Sequence, residues 1–123
     1  MSFFSLWWKD LPSKQRIAVK KLLDTKQLEF VAGGWVMPDE ANVHYLSYFT
    51  QLIEGHQFLQ QHFNVSPRNG WAIDPFGLST SLNFLQTRAG INNTVFMRTH
   101  YILKHFLREN KATEFMWRQL WGK

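Results

Sequence analysis

The chain has 123 residues, enough for one small domain with a real core and too few for a complete eight-stranded α/β barrel of roughly 250 residues. Hydrophobic residues make up 45% of it and aromatic residues 16%, without a low-complexity tract, which excludes a disordered chain. The net charge of +5 raises the question of an anionic partner, but the basic residues fall in two solvated segments, around Lys14–Lys26 and Lys104–Lys111, without aromatic rings interleaved as a stacking platform, so no nucleic-acid partner is expected.

Residues 1–10, MSFFSLWWKD, lack the basic n-region of a signal peptide, and no stretch approaches the roughly 20 apolar residues that span a bilayer. A targeting or anchoring segment is therefore not expected within this chain. From Pro12 to Asp24, Val19, Leu22 and Leu23 lie at helical spacing with basic residues opposite, which predicts a surface helix. Gln27–Ala32 reads as a first strand stopped by Gly33-Gly34, followed by a loop from Trp35 to Glu40. A helix is expected from about Glu40 to Phe63, with Tyr45, Phe49, Leu52, His56, Leu59 and Phe63 along one face and Gly55 as its weak point. Asp39 and Glu40 stand where acidic residues favour the opening of that helix, and His56 is expected to be packed.

After a turn over Asn64–Asn69, Gly70–Ile73 forms the second strand and delivers Asp74 at its carboxyl end. A helix over Ser79–Arg88 stops at Ala89-Gly90, a third strand covers Ile91–Arg98, a short helix Ile102–Glu109, and a last β-type run Thr113–Trp117. The order βαβαβ implies an α/β fold with a parallel sheet and right-handed crossovers, and the chemistry of such sheets sits outside the carboxyl ends of the strands. The loops Trp35–Glu40, Asp74–Ser79 and Arg98–Tyr101 all belong to that edge.

Asp74, set before Pro75, is biased to an extended conformation and projects from a fixed strand end. Its carboxylate suits a nucleophile, a metal ligand or a cap for the next helix. Arg98 suits either the partner that keeps such a carboxylate ionised or a structural ion pair. His44, His56, His62, His100 and His105 show neither HExxH nor HxH spacing and Cys is absent, so a complete zinc site is not expected here. The sequons at Asn64 and Asn92 are weak, the first being followed directly by Pro67 and the second abutting a strand.

The blocks GGWVMPDEA (33–41), QLIEGHQ (51–57) and GWAIDPFG (70–77), with Arg98-Thr99-His100-Tyr101 and EFMWRQ (114–119), resemble glycoside hydrolase family 38, the class II α-mannosidases, in order and spacing. The likeness covers residues 1–123 and implies an incomplete portion of that family's N-terminal α/β-barrel catalytic domain; Pro38 in the WVMPDEA block is similar to the Golgi branch. The resemblance implies hydrolysis of terminal α1,3- and α1,6-linked mannose from N-glycans with retention of configuration, by a parent protein on the lumenal side of the Golgi membrane that is membrane-anchored outside this chain and admits a homodimer.

By the same resemblance Asp74 is both nucleophile and zinc ligand, while Phe76 and Arg98 line the substrate site. The family's other zinc ligands and its acid/base Asp have no counterpart here, so the chain alone is expected to be inactive. Where the family continues DPFG with His-Ser-Pro, this chain has Leu78-Ser79-Thr80. A catalytically inactive truncated homologue or a carbohydrate-binding remnant is the alternative.

Overall fold

The computed structural model describes residues 1–120 as five helices, α1 (Ser2–Asp10), α2 (Ser13–Asp24), α3 (Tyr45–Phe63), α4 (Thr80–Arg88) and α5 (Tyr101–Glu109), with two strands, β1 (Asn69–Ala72) between α3 and α4 and β2 (Asn93–Phe96) between α4 and α5. The strands pair in parallel, Asn69 opposite Asn93 through Ala72 opposite Phe96, and α4 makes the crossover that parallel pairing requires. The molecule is a small mixed helix and strand assembly built on one βαβ unit, as an incomplete α/β domain would be.

Two expected strands are not formed among the described residues. Residues 27–32 do run beside β1, but the Ala32 amide donating to the Asn69 carbonyl at 2.7 Å is the one backbone hydrogen bond recorded between them. Positive φ at Lys26, Ala32 and Gly33 turns the chain at both ends of the run and stops a ladder from extending. Thr113–Trp117 satisfies its aromatic character by packing instead: Phe115 and Trp117 lie 6.0 and 5.5 Å from the Phe96 ring. Hence the expected βαβαβ, with its further helix and last β-type run, contracts to one βαβ unit followed by α5.

Two apolar centres hold the elements. Tyr48 and Leu52 of α3 pack with Leu82 of α4 and Ile91, and Val43 and Leu85 close around them. Each such fully buried Leu or Ile contributes roughly 1.5–3 kcal/mol relative to exposure. The second centre is aromatic: Phe4 and Trp8 of α1 meet Phe30 and Phe63, with Phe4–Phe30 at 5.0 Å and Trp8–Phe63 at 4.6 Å. Helix α1 was not expected from the sequence, although the i, i+4 spacing of Phe4 and Trp8 is the signal that buries it. Arg16 ties α1 to α2 by donating to the carbonyls of Leu11 and Lys9 at 3.0 and 2.7 Å and by lying over the Trp8 ring.

Helix α3 begins five residues later than the periodicity suggested, because His44 caps it: its Nδ1 accepts from the Leu46 amide at 3.3 Å. Its buried face is Tyr48, Leu52, Gly55 and Leu59, while Tyr45 is exposed, so the expected stripe is rotated by about one position. Gly55 is not a weak point. A Cβ there would collide with the Gly33 carbonyl oxygen and with Gly34 backbone, so hydrogen at this position is what lets α3 approach the 33–34 loop.

Candidate active site

The pairing register places the site. Each residue of β1 faces the residue 24 positions later in β2, and Asp74 and Arg98 each stand two residues beyond the last paired positions, Ala72 and Phe96. Parallel strands put both at the same edge of the sheet. Arg98 accordingly meets Asp74 twice: its Nε donates to the Asp74 carbonyl at 2.6 Å, and an Nη donates to Asp74 Oδ1 at 3.1 Å. The same guanidinium lies over the Phe76 ring at 4.2 Å from its centroid. Asp74, Phe76 and Arg98 thus form one contact cluster.

The cluster is open. The Asp74 side chain is 75% exposed, so one carboxylate oxygen is held by Arg98 while the group remains reachable from solvent. Phe76 is also exposed. Between them Pro75 is buried and anchors the loop, and Gly77 takes φ +101°, a conformation other residues adopt only with strain. Among the described residues no group of three His, Asp or Glu side chains is placed to hold a metal ion.

The far end of the loop is fixed by a residue assigned otherwise from the sequence. Asp39 does act as a turn-former, its Oδ2 accepting from the amides of Ala41 and Asn42 at 3.1 and 2.7 Å. Glu40, however, does not open α3; its Oε2 accepts the Ser79 amide at 2.5 Å, across 39 residues of chain. Ser79 in turn caps α4, its hydroxyl accepting from Leu82 at 3.4 Å. The three loops expected at the sheet edge do meet, the first of them arriving without a strand behind it.

Glu40 is half-buried, and burial pushes its carboxyl above the ordinary range, opposed by the Ser79 hydrogen bond and reinforced weakly by Asp39. Tyr48 nearby is buried to 1% exposure; burial pushes its phenol upward, offset by the Gln86 side chain and added to by the charge of Glu40. These groups line a largely apolar cavity of about 390 Å³ bounded by the 33–38 loop, α1 and Pro75; Asp74, Phe76 and Arg98 lie outside it. The histidines serve structure: His44 and His100 cap helices, and His56 Nε2 lies 3.0 Å from the Ala32 carbonyl, packed as expected. Asn64 ends α3 at φ 55° with its side chain bonded to Gln60.

The sequence matches the Glycosyl hydrolases family 38 N-terminal domain over residues 1–123. It is 50% identical over 123 residues to alpha-mannosidase 2 of Mus musculus, 48% over 121 residues to alpha-mannosidase 2 of Homo sapiens, and 46% over 121 residues to alpha-mannosidase 2x of Mus musculus. Each alignment covers 98% of this chain. The chain spans only 10 to 11% of the length of these curated relatives.

Proposed function

The chain belongs to glycosyl hydrolase family 38, and on that premise we propose that it forms part of the N-terminal α/β-barrel catalytic domain of a Golgi-type α-mannosidase, with Asp74 as nucleophile. The observation that carries this reading is the contact cluster of Asp74, Phe76 and Arg98 at the carboxyl edge of the sheet. A carboxylate fixed by an arginine beside an exposed aromatic face offers a sugar ring both a stacking surface and an attacking oxygen.

In the proposed reaction an Asp74 oxygen forms a bond to the anomeric carbon of a terminal α-mannose while the bond to the leaving sugar breaks. A carboxylic acid supplied from outside this chain protonates the departing oxygen, and water later cleaves the mannosyl ester, so configuration is retained. Arg98 fixes one oxygen of Asp74 and orients the carboxylate, leaving the other oxygen for attack. Pro75 and Gly77 set the loop backbone. Asp74 would be one ligand of a zinc ion whose other ligands come from outside this chain, and that ion would supply Lewis-acid binding of sugar hydroxyls. The substrates are mannose-bearing N-glycans in the Golgi lumen. By the family likeness this chain supplies only one of the two carboxyl groups that a retaining glycosidase needs, so the 123 residues alone release no mannose.

The test is mannose release from a chromogenic α-mannoside by the full-length parent, its Asp74→Ala variant and its Leu78→His variant. Loss of at least about a thousandfold in kcat with Asp74→Ala supports the nucleophile. An inactive parent that Leu78→His does not restore favours the alternative, an inactive homologue, which Leu78 in place of the family's histidine makes specific.

A further inference from the structure

We propose that Glu40 is a positioning residue for the nucleophile loop, which it clamps at the end opposite Arg98. This rests on the mannosidase reading of Asp74 given above. The loop Asp74–Ser79 emerges from β1 and enters α4, and it is fixed by two charged side chains that come from elsewhere in the chain. At its start Arg98, from the end of β2, holds both the carbonyl and the carboxylate of Asp74. At its close Glu40, from the turn before α3, receives the Ser79 amide at 2.5 Å. Without the second contact the far end of the loop is held only by the bonds Ser79 makes to α4 itself, through Leu82 and Asn83, while Gly77, with open space around it, gives the backbone freedom to move.

The choice of a carboxylate for this contact has a physical reason. The Ser79 amide stands at the amino end of α4, where unpaired N–H groups and the helix dipole favour a negative acceptor. A charge-assisted hydrogen bond is about twice as strong as a neutral one, and Glu40 is carried to its partner on a turn itself fixed by Asp39. Tyr48 of α3 and Gln86 of α4, both buried, line the same cavity as Glu40. Among the described residues Glu40 shares no hydrogen bond or ion pair with Asp74; it acts through the loop. Its effect belongs to the approach of the nucleophile and therefore to kcat, since a displacement near 1 Å at a reacting atom costs on the order of a hundredfold.

The experiment compares the full-length parent with Glu40→Gln, which keeps an acceptor oxygen, and Glu40→Met, which does not. Two readouts are taken: kcat and KM on a chromogenic α-mannoside, and backbone hydrogen exchange over residues 74–82. The expected result is a kcat about tenfold to a hundredfold lower in Glu40→Met with KM within about twofold, recovery in Glu40→Gln to within about threefold of wild type, and faster exchange at 77–79 in Glu40→Met alone. Should Glu40→Met not fold, Glu40→Asp carries the same expectation, one methylene too short to reach Ser79. An unchanged kcat in the variant lacking the contact, equal losses in Gln and Met, or unchanged loop exchange overturns the proposal. A wild-type parent that releases no mannose overturns the mannosidase reading, and exchange at 77–79 still decides whether Glu40 clamps the loop.

Discussion

Arg98 makes two hydrogen bonds and a ring contact with one guanidinium, and each depends on its planar fork. Lysine carries the same charge on a single point and cannot bridge the Asp74 carbonyl and carboxylate while covering Phe76. Arg98→Lys in the parent is expected to lower kcat/KM for a chromogenic mannoside about tenfold to a hundredfold. The ion pair is exposed, with the Arg98 and Asp74 side chains at 37% and 75%, so its share of folding stability is about 0–1 kcal/mol. A melting temperature that falls sharply in this variant would contradict a role in chemistry and point to a structural pair. Glu40 shows the opposite balance. Burial raises its carboxyl above the ordinary 4.5, so the folded state binds the proton more readily than the unfolded chain, and stability falls as pH rises through the folded value. Glu40→Gln should therefore unfold at a higher temperature than wild type at pH 7, with the difference closing below about pH 4 where both states are protonated. Thermal unfolding of the two parents across that range measures it; a difference that grows on acidification would reverse the sign.

At the scale of the element, α3 and the 33–34 loop are fitted to each other by absence of side chains. Helix propensity alone favours Gly55→Ala by about 1 kcal/mol. The added methyl meets the Gly33 carbonyl oxygen and Gly34 backbone, which cannot swing aside as a side-chain tip can, and overpacking of this kind costs about 1–3 kcal/mol. The clash is expected to win, giving a net loss of up to about 2 kcal/mol in the parent, read as faster amide exchange along residues 52–59. A stabilised Gly55→Ala would show that the loop yields. The same position shows where the sequence was legible. Helical spacing and turn residues marked α2, α3, α4, α5 and both strands to within a few residues, and the strand ends put Asp74 and Arg98 on one edge. What could not be read was long-range: that Gly55 faces a backbone, that Glu40 reaches Ser79, and that residues 27–32 lack a ladder because their ends turn through positive φ. Local pattern reports which face of an element is apolar but not which distant amide a carboxylate will find. The proposed nucleophile and substrate roles of Asp74, Phe76 and Arg98 rest on the family likeness; the meeting of Asp74 and Arg98 follows from the register.

Seen whole, the chain carries more apolar surface than its two centres can bury. Helix α5 has no buried residue, and Tyr101, Ile102 and Phe106 stand 75%, 60% and 58% exposed. Contiguous apolar surface of this sort drives association. The isolated 123 residues should sediment as concentration-dependent oligomers, and Ile102→Ser with Phe106→Ser should move the distribution toward the monomer. A monomeric wild-type chain in sedimentation velocity would show that this face needs no cover. No helix among the described residues is long and apolar enough to cross a membrane. The glycine contact between the 33–34 loop and α3 also has a meaning for inheritance. Because position 55 tolerates a side chain only if the facing backbone retreats, the two segments form a single unit of exchange. Chimeras that graft one of them from a relative with bulkier residues there would be sterile as folds unless the other travels with it, and the loop that carries Glu40 would move with both.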